Sequence, residues 1–162
     1  MIGSAKRLMG AGALAAVLVI GNAQEAVAQG AGRRAADPPV IAYRKAMMAA
    51  NRQYIAAMRA LLSGEISHPQ DIKMHADALA NIGWMFTGLF PEGSTGPTSR
   101  AMEEIWTMEE DFAARVSAFR VATEVLKATA EEGDNAATLA AVTAVNGTCR
   151  ACHTPFRRPA AQ

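Results

Sequence analysis

The sequence predicts an all-α protein, an antiparallel up-and-down four-helix bundle, and three observations carry that expectation. Strand signals are nearly absent, because β-branched residues are scattered and alternation is poor, while alanine is abundant and favours helix. Breakers cut the chain into four segments of helical length. Within those segments apolar residues recur every seven positions, the period that packs helices at a shallow crossing angle with a left-handed supercoil.

The first helix follows "ADPP", with Asp37 as the capping candidate and prolines where a helix can begin, and runs to about Ser63 with Gly64 as its stop. Ile41, Met48, Ile55 and Leu62 mark its inward stripe. The second starts near "SHP" with Pro69 in its first turn and ends where Phe90 meets Pro91. It repeats Ile72, Leu79 and Phe86, and beside them His75, Ile82 and Leu89. "PEGSTGPTS" is too rich in glycine and proline to be regular. The third helix, from about Arg100 to Glu132, carries Ile105, Phe112, Phe119 and Leu126. Gly133 ends it, and Asp134 caps a fourth that carries Leu139, Val142 and Val145 before reaching Cys149. Short connections then make neighbouring helices antiparallel.

Ahead of the bundle, Lys6 and Arg7 precede an apolar run from Leu8 to Ile20, too short to span a bilayer as a helix. Gly21 and Asn22 follow, and Ala26 and Ala28 give a small-x-small pattern, so residues 1–28 read as a secretory signal peptide cut after Ala28. Residues 29–37 are expected to be a flexible lead and 38–158 the bundle domain. Cleavage removes Lys6, Arg7 and Glu25, two of the 16 basic and one of the 15 acidic residues, and leaves a neutral mature chain. With no basic excess and no basic stripe interleaved with aromatics, nothing points to nucleic acid. No second apolar stretch is long enough for a membrane span.

The stretch "NGTCRACHTPFRR" holds the only two cysteines, Cys149 and Cys152, followed at once by His153. In an exported chain two cysteines suggest a disulfide. A redox dithiol has the same spacing but belongs at a helix N-terminus after a strand, and a zinc site needs about four ligands. The reading that uses all three residues is covalent haem c. Positions i, i+3 and i+4 share a helix face, so both sulfurs can form thioethers to haem vinyl groups while the imidazole meets the iron.

A C-terminal "CRACHTPFR" on the last helix of a bundle resembles the cytochrome c′ family, as do "VIAYRKAMM" at Val40–Met48, the "LFPEGS" turn and "EIW" at Glu104–Trp106. The resemblance implies one covalent haem c in a periplasmic protein, with His153 as proximal ligand. Some family members leave the sixth position empty and bind NO or CO; low-spin members fill it with a methionine of the first helix. The matching residue is Met48, which shares the inward stripe, whereas Met47 is turned about 100° away. A Met ligand suits electron transfer and an open site suits a gas. The resemblance further implies that Arg44 meets a haem propionate, that Arg157 lies on the proximal side, and that homodimers form through the first two helices.

One-electron transfer to an unknown redox partner protein is the first expectation. A five-coordinate gas scavenger or sensor is the alternative, and a haem-free thiol or disulfide protein a remote third. No constellation of acid, base and nucleophile suggests an enzyme. His75 falls on a seam position, as a boundary histidine or, less simply, a distal ligand; His68 belongs to the surface. Trp84 and Trp106 read as core or rim aromatics, and "MEEIWTMEEDF" as a helix with a solvated acidic face.

Overall fold

The computed structural model describes residues 38–160. The expected signal peptide, the lead and the Asp37 cap lie outside them. The ordered elements are α1 (Pro39–Leu62), α2 (Pro69–Met85), a single 3-10 turn (Phe86–Leu89), the short α3 (Glu104–Thr107), α4 (Glu109–Glu132) and α5 (Asn135–Phe156). α1 packs on α2, α2 on α4, α4 on α5, and α5 back on α1, which closes a four-helix bundle. The α5–α1 seam is the loosest of the four, and the bundle opens there.

The seven-residue steps select the core as the periodicity requires. Ile41, Ile55, Ile72, Leu79, Phe86, Ile105, Phe119 and Leu126 are all buried. The flanking seam of α1 is also buried, but two of its three members are polar: Arg44, Asn51 and Met58. Where α2 crosses α4 the helices come very close. A Cβ on Gly83 would lie 2.9 Å from Thr123 Oγ1 and 3.5 Å from the Arg120 Cα, and Thr123 is itself fully buried. At the far end of the core, Phe90, Phe112 and Phe156 meet edge to face at ring separations of 5.0 and 5.2 Å, a favourable aromatic geometry.

Pro69 opens α2, and Gly133 closes α4 in the left-handed conformation at φ 74°. Asp134 caps α5: its Oδ1 accepts from the backbone N–H groups of Ala136 and Ala137, both at 2.9 Å. Three expectations need correction. The third helix does not begin at Arg100; it starts at Glu104 and breaks at Met108, whose φ of −120° and ψ of 52° leave the helical region before α4. The α2 helix proper stops at Met85 and tightens into the 3-10 turn. Leu139 points outward, 44% exposed, because the buried stripe of α5 runs through Thr138, Val142 and Val145 and Leu139 sits about 100° from Thr138 around the axis. Among the described residues no helix is long and apolar enough to cross a membrane.

Candidate haem site

The stripe that α5 buries against its neighbours continues past Val145 into Cys149, Cys152 and His153, so core packing aims the three motif residues inward. They stand in the last two turns of the helix. Pro155 and then extended Arg157 end it. That end is tied down: Met102 N–H donates to Phe156 O at 3.1 Å, Arg158 N–H to Arg100 O at 2.8 Å, and Ala101 pairs with Arg157 as an antiparallel bridge.

All three motif side chains line one cavity of about 660 Å³, within the range of cofactor pockets. From α1 it is lined by Ile41, Met48, Asn51 and Ile55, and its inner end by Phe86, Phe90, Phe112, Phe119 and Phe156. Met48 reaches the cavity and Met47 does not, as the inward stripe requires. His75 lies elsewhere, its ring against Tyr54 at 5.5 Å, and His68 is exposed at the start of α2. Trp84 is a rim residue, 59% exposed, its indole N–H on Glu124. Trp106 anchors the loop before α3 by donating to the carbonyls of Phe90 and Pro91.

Burial sets the protonation of the motif. It pushes the Cys149 thiol up, and with the nearby Cys149 charge it pushes Cys152 up to about 11, so both remain S–H at neutral pH. Burial, then Arg157 and Arg100, push His153 below its ordinary value. The imidazole is therefore neutral, the form with a lone pair for a metal.

Arg44 lines the cavity but turns its guanidinium to the loop. Nη1 donates to Ser94 Oγ at 2.9 Å and Leu89 O at 3.3 Å, Nη2 to Ser94 O and Ser99 Oγ at 2.9 Å, and the cation lies 4.8 Å from the Phe90 ring centroid. Arg44 thus straps the "LFPEGS" turn to α1, a structural role that its expected propionate contact did not foresee. Arg157 also lines the cavity, with an exposed side chain. Asn51 is a site residue the sequence reading missed. It is 6% exposed, it lines the cavity, and its Oδ1 has no hydrogen-bond partner. Its signal was available, since Asn51 stands seven residues from both Arg44 and Met58.

These features fit a haem. Two protonated thiols and a neutral imidazole share one face, the walls are largely apolar, and a buried amide oxygen lacks a partner. Fold and site define a c-type cytochrome built on a four-helix bundle. The chain belongs to the cytochrome c′ family: a family model described as Cytochrome C′ matches residues 39–157. Cytochrome c′ from Rhodospirillum rubrum is 34% identical over 154 residues, covering 94% of this chain and 98% of the relative. That from Pararhodospirillum photometricum is 30% identical over 118 residues, covering 72% and 94%. Among solved structures, cytochrome c′ from Rubrivivax gelatinosus superposes with a TM-score of 0.68 at 22% identity, covering 74% of this chain and 94% of that one. A nitric oxide complex of a cytochrome c′ mutant from Alcaligenes xylosoxidans gives 0.68 at 25% identity with the same coverage. The cofactor of this chain is accordingly covalent haem c.

Proposed function

We propose that Cys149 and Cys152 carry the haem as thioethers, that His153 is its proximal ligand, and that the protein binds a diatomic gas, NO or CO, in the cavity that α1 helps to wall. The observation that carries this reading is the α1 wall, where Ile41, Met48 and Ile55 present apolar side chains to the cavity that Cys149, Cys152 and His153 line. The nitric oxide complex of the Alcaligenes xylosoxidans relative supports it.

When bound, the haem would supply an iron that changes by one electron and can take a diatomic ligand. The chain does the rest. Cys149 and Cys152 would hold the group as thioethers, each S–H adding across one vinyl so that no atom is released, and would so fix it against loss. His153 keeps a lone pair free because burial and two arginines oppose its protonation. Ile41, Ile55, Phe86 and Phe119 exclude water from the pocket.

Electron transfer, the first expectation from sequence, stands as the second reading because Met48 reaches the cavity and offers a thioether sulfur. Absorption spectra of the ferrous holoprotein separate the two. Broad high-spin bands that sharpen on adding CO support gas binding; sharp split bands without CO, lost in Met48→Ala, establish the methionine-ligated carrier instead. The proposal includes export to the periplasm after cleavage at Ala28 and pairing of two copies through α1 and α2, where Tyr43, Met74 and Met85 are exposed. It assigns binding or carriage rather than enzymatic turnover.

A further inference from the structure

A second hollow, of about 610 Å³, lies between α2, the 3-10 turn and α4, and none of Cys149, Cys152 and His153 lines it. It backs onto the haem cavity, because Phe90, Ile105, Phe112 and Val116 line both. Trp84 and Trp106, the only tryptophans of the chain, also line it. Neither has an N–H to spare, since Trp84 Nε1 donates to Glu124 at 2.8 Å and Trp106 Nε1 to Pro91 O at 3.0 Å. These two side chains therefore offer π-faces and no donors. One ring already holds a cation, the Arg120 guanidinium, 4.2 Å from the Trp84 centroid. Two exposed carboxylates, Glu92 and Glu109, line the same hollow and take part in no ion pair among the described residues.

We infer that this hollow binds an organic cation with an apolar or aromatic body, such as a quaternary ammonium carrying an aryl group or a protonated aromatic amine. Its volume is that of a small-molecule site. Aromatic faces attract positive charge through the ring quadrupole, and carboxylates beside them add to the attraction. Arg120 occupies Trp84, which leaves Trp106 and both carboxylates for a ligand. Helix stabilisation accounts for only one of the two acids: Glu109 stands in the first turn of α4, where the dipole favours a carboxylate, but Glu92 lies in the loop and serves no helix end. A metal ion is the poorer fit. Calcium takes about six to eight oxygen ligands, and no group of three His, Cys, Asp or Glu able to hold a metal occurs among the described residues. The hollow is built by the chain alone and does not depend on the haem reading, although the shared wall sets an occupant one side chain away from the haem cavity.

The test titrates benzyltrimethylammonium into the purified protein as it is isolated and follows the two indole N–H resonances, one from each tryptophan. Both signals should shift in a saturable way, with an affinity about tenfold or more above that of benzenesulfonate, an anion of similar size. In a Glu92→Gln, Glu109→Gln double variant, both changes at exposed positions, the affinity should fall about tenfold. Ala113→Phe fills the hollow from an exposed position of α4 without altering any charge, and should abolish binding. No indole shift up to about 10 mM probe, a concentration that fills even a millimolar site, overturns the inference. So does equal affinity for benzenesulfonate, or binding that survives Ala113→Phe. Displacement of the probe by magnesium ion at matched ionic strength overturns it in favour of a plain carboxylate site. Tighter binding of oligolysine at the same two resonances overturns it in favour of a docking face for a basic protein.

Discussion

Arg44 is 4% exposed and makes four hydrogen bonds, to Leu89 O, Ser94 Oγ, Ser94 O and Ser99 Oγ, besides its contact with the Phe90 ring. Changing it to Met keeps the apolar stem of the side chain and removes the guanidinium. Each hydrogen bond to a charged group contributes about 1.5–3 kcal/mol, but bonds sharing one guanidinium do not add. Breaking a buried charged network by removing one member costs about 3–5 kcal/mol, and that is the loss expected for Arg44→Met in guanidinium chloride unfolding of the holoprotein. Arg44→Lys should recover less than half, because one ammonium cannot reproduce a planar fork that reaches Ser94 and Ser99 together. A cost below about 1 kcal/mol would refute the strap, since no buried charge with four partners is released so cheaply. If stability held while the haem reduction potential moved, the propionate contact implied by the family resemblance would be the residue's main role.

Gly83→Ala puts a methyl against buried Thr123 and should cost about 1–3 kcal/mol by thermal unfolding; a Thr123→Ala partner should relieve part of it in a double-mutant cycle. Asp134→Ala removes the α5 cap and should cost about 0.5–2 kcal/mol in the same assay, with Asp134→Asn nearly neutral. In haem-free chain the folded Cys152 pKa of about 11 lies above that of an unfolded thiol, so alkylation by iodoacetamide at about pH 8 should run about a hundredfold below an exposed cysteine and climb toward pH 11. Because the folded state holds this proton more tightly, stability of that chain should fall as pH rises from about 9 to about 11. Reaction at the rate of a free thiol would contradict the burial. Asn51→Leu replaces a buried amide that has no partner for its oxygen; unfolding of the holoprotein should show a loss if the haem satisfies the amide and a gain if nothing does.

What the sequence disclosed follows from periodicity. Ile41, Ile55, Leu79, Phe119 and Leu126 repeat at seven and are buried, and Cys149, Cys152 and His153 share a face because a helix turns 100° per residue. Arg44 and Asn51 occupy the same repeat, but their polarity hid Asn51 from a search for apolar residues. Leu139 misled for the opposite reason: it is apolar but off the stripe, and small or polar residues at Thr138 and Ala141 fill the seam instead. The break at Met108 carries no proline or glycine and shows only in the backbone.

The most direct test of the account is mass spectrometry of the proteolytic peptide that contains Cys149, Cys152 and His153, taken from protein purified with its haem. The account predicts that this peptide carries one haem on both sulfurs, with neither thiol open to alkylation. Two alkylatable thiols, or a disulfide lacking two hydrogens, on a peptide without haem would contradict it.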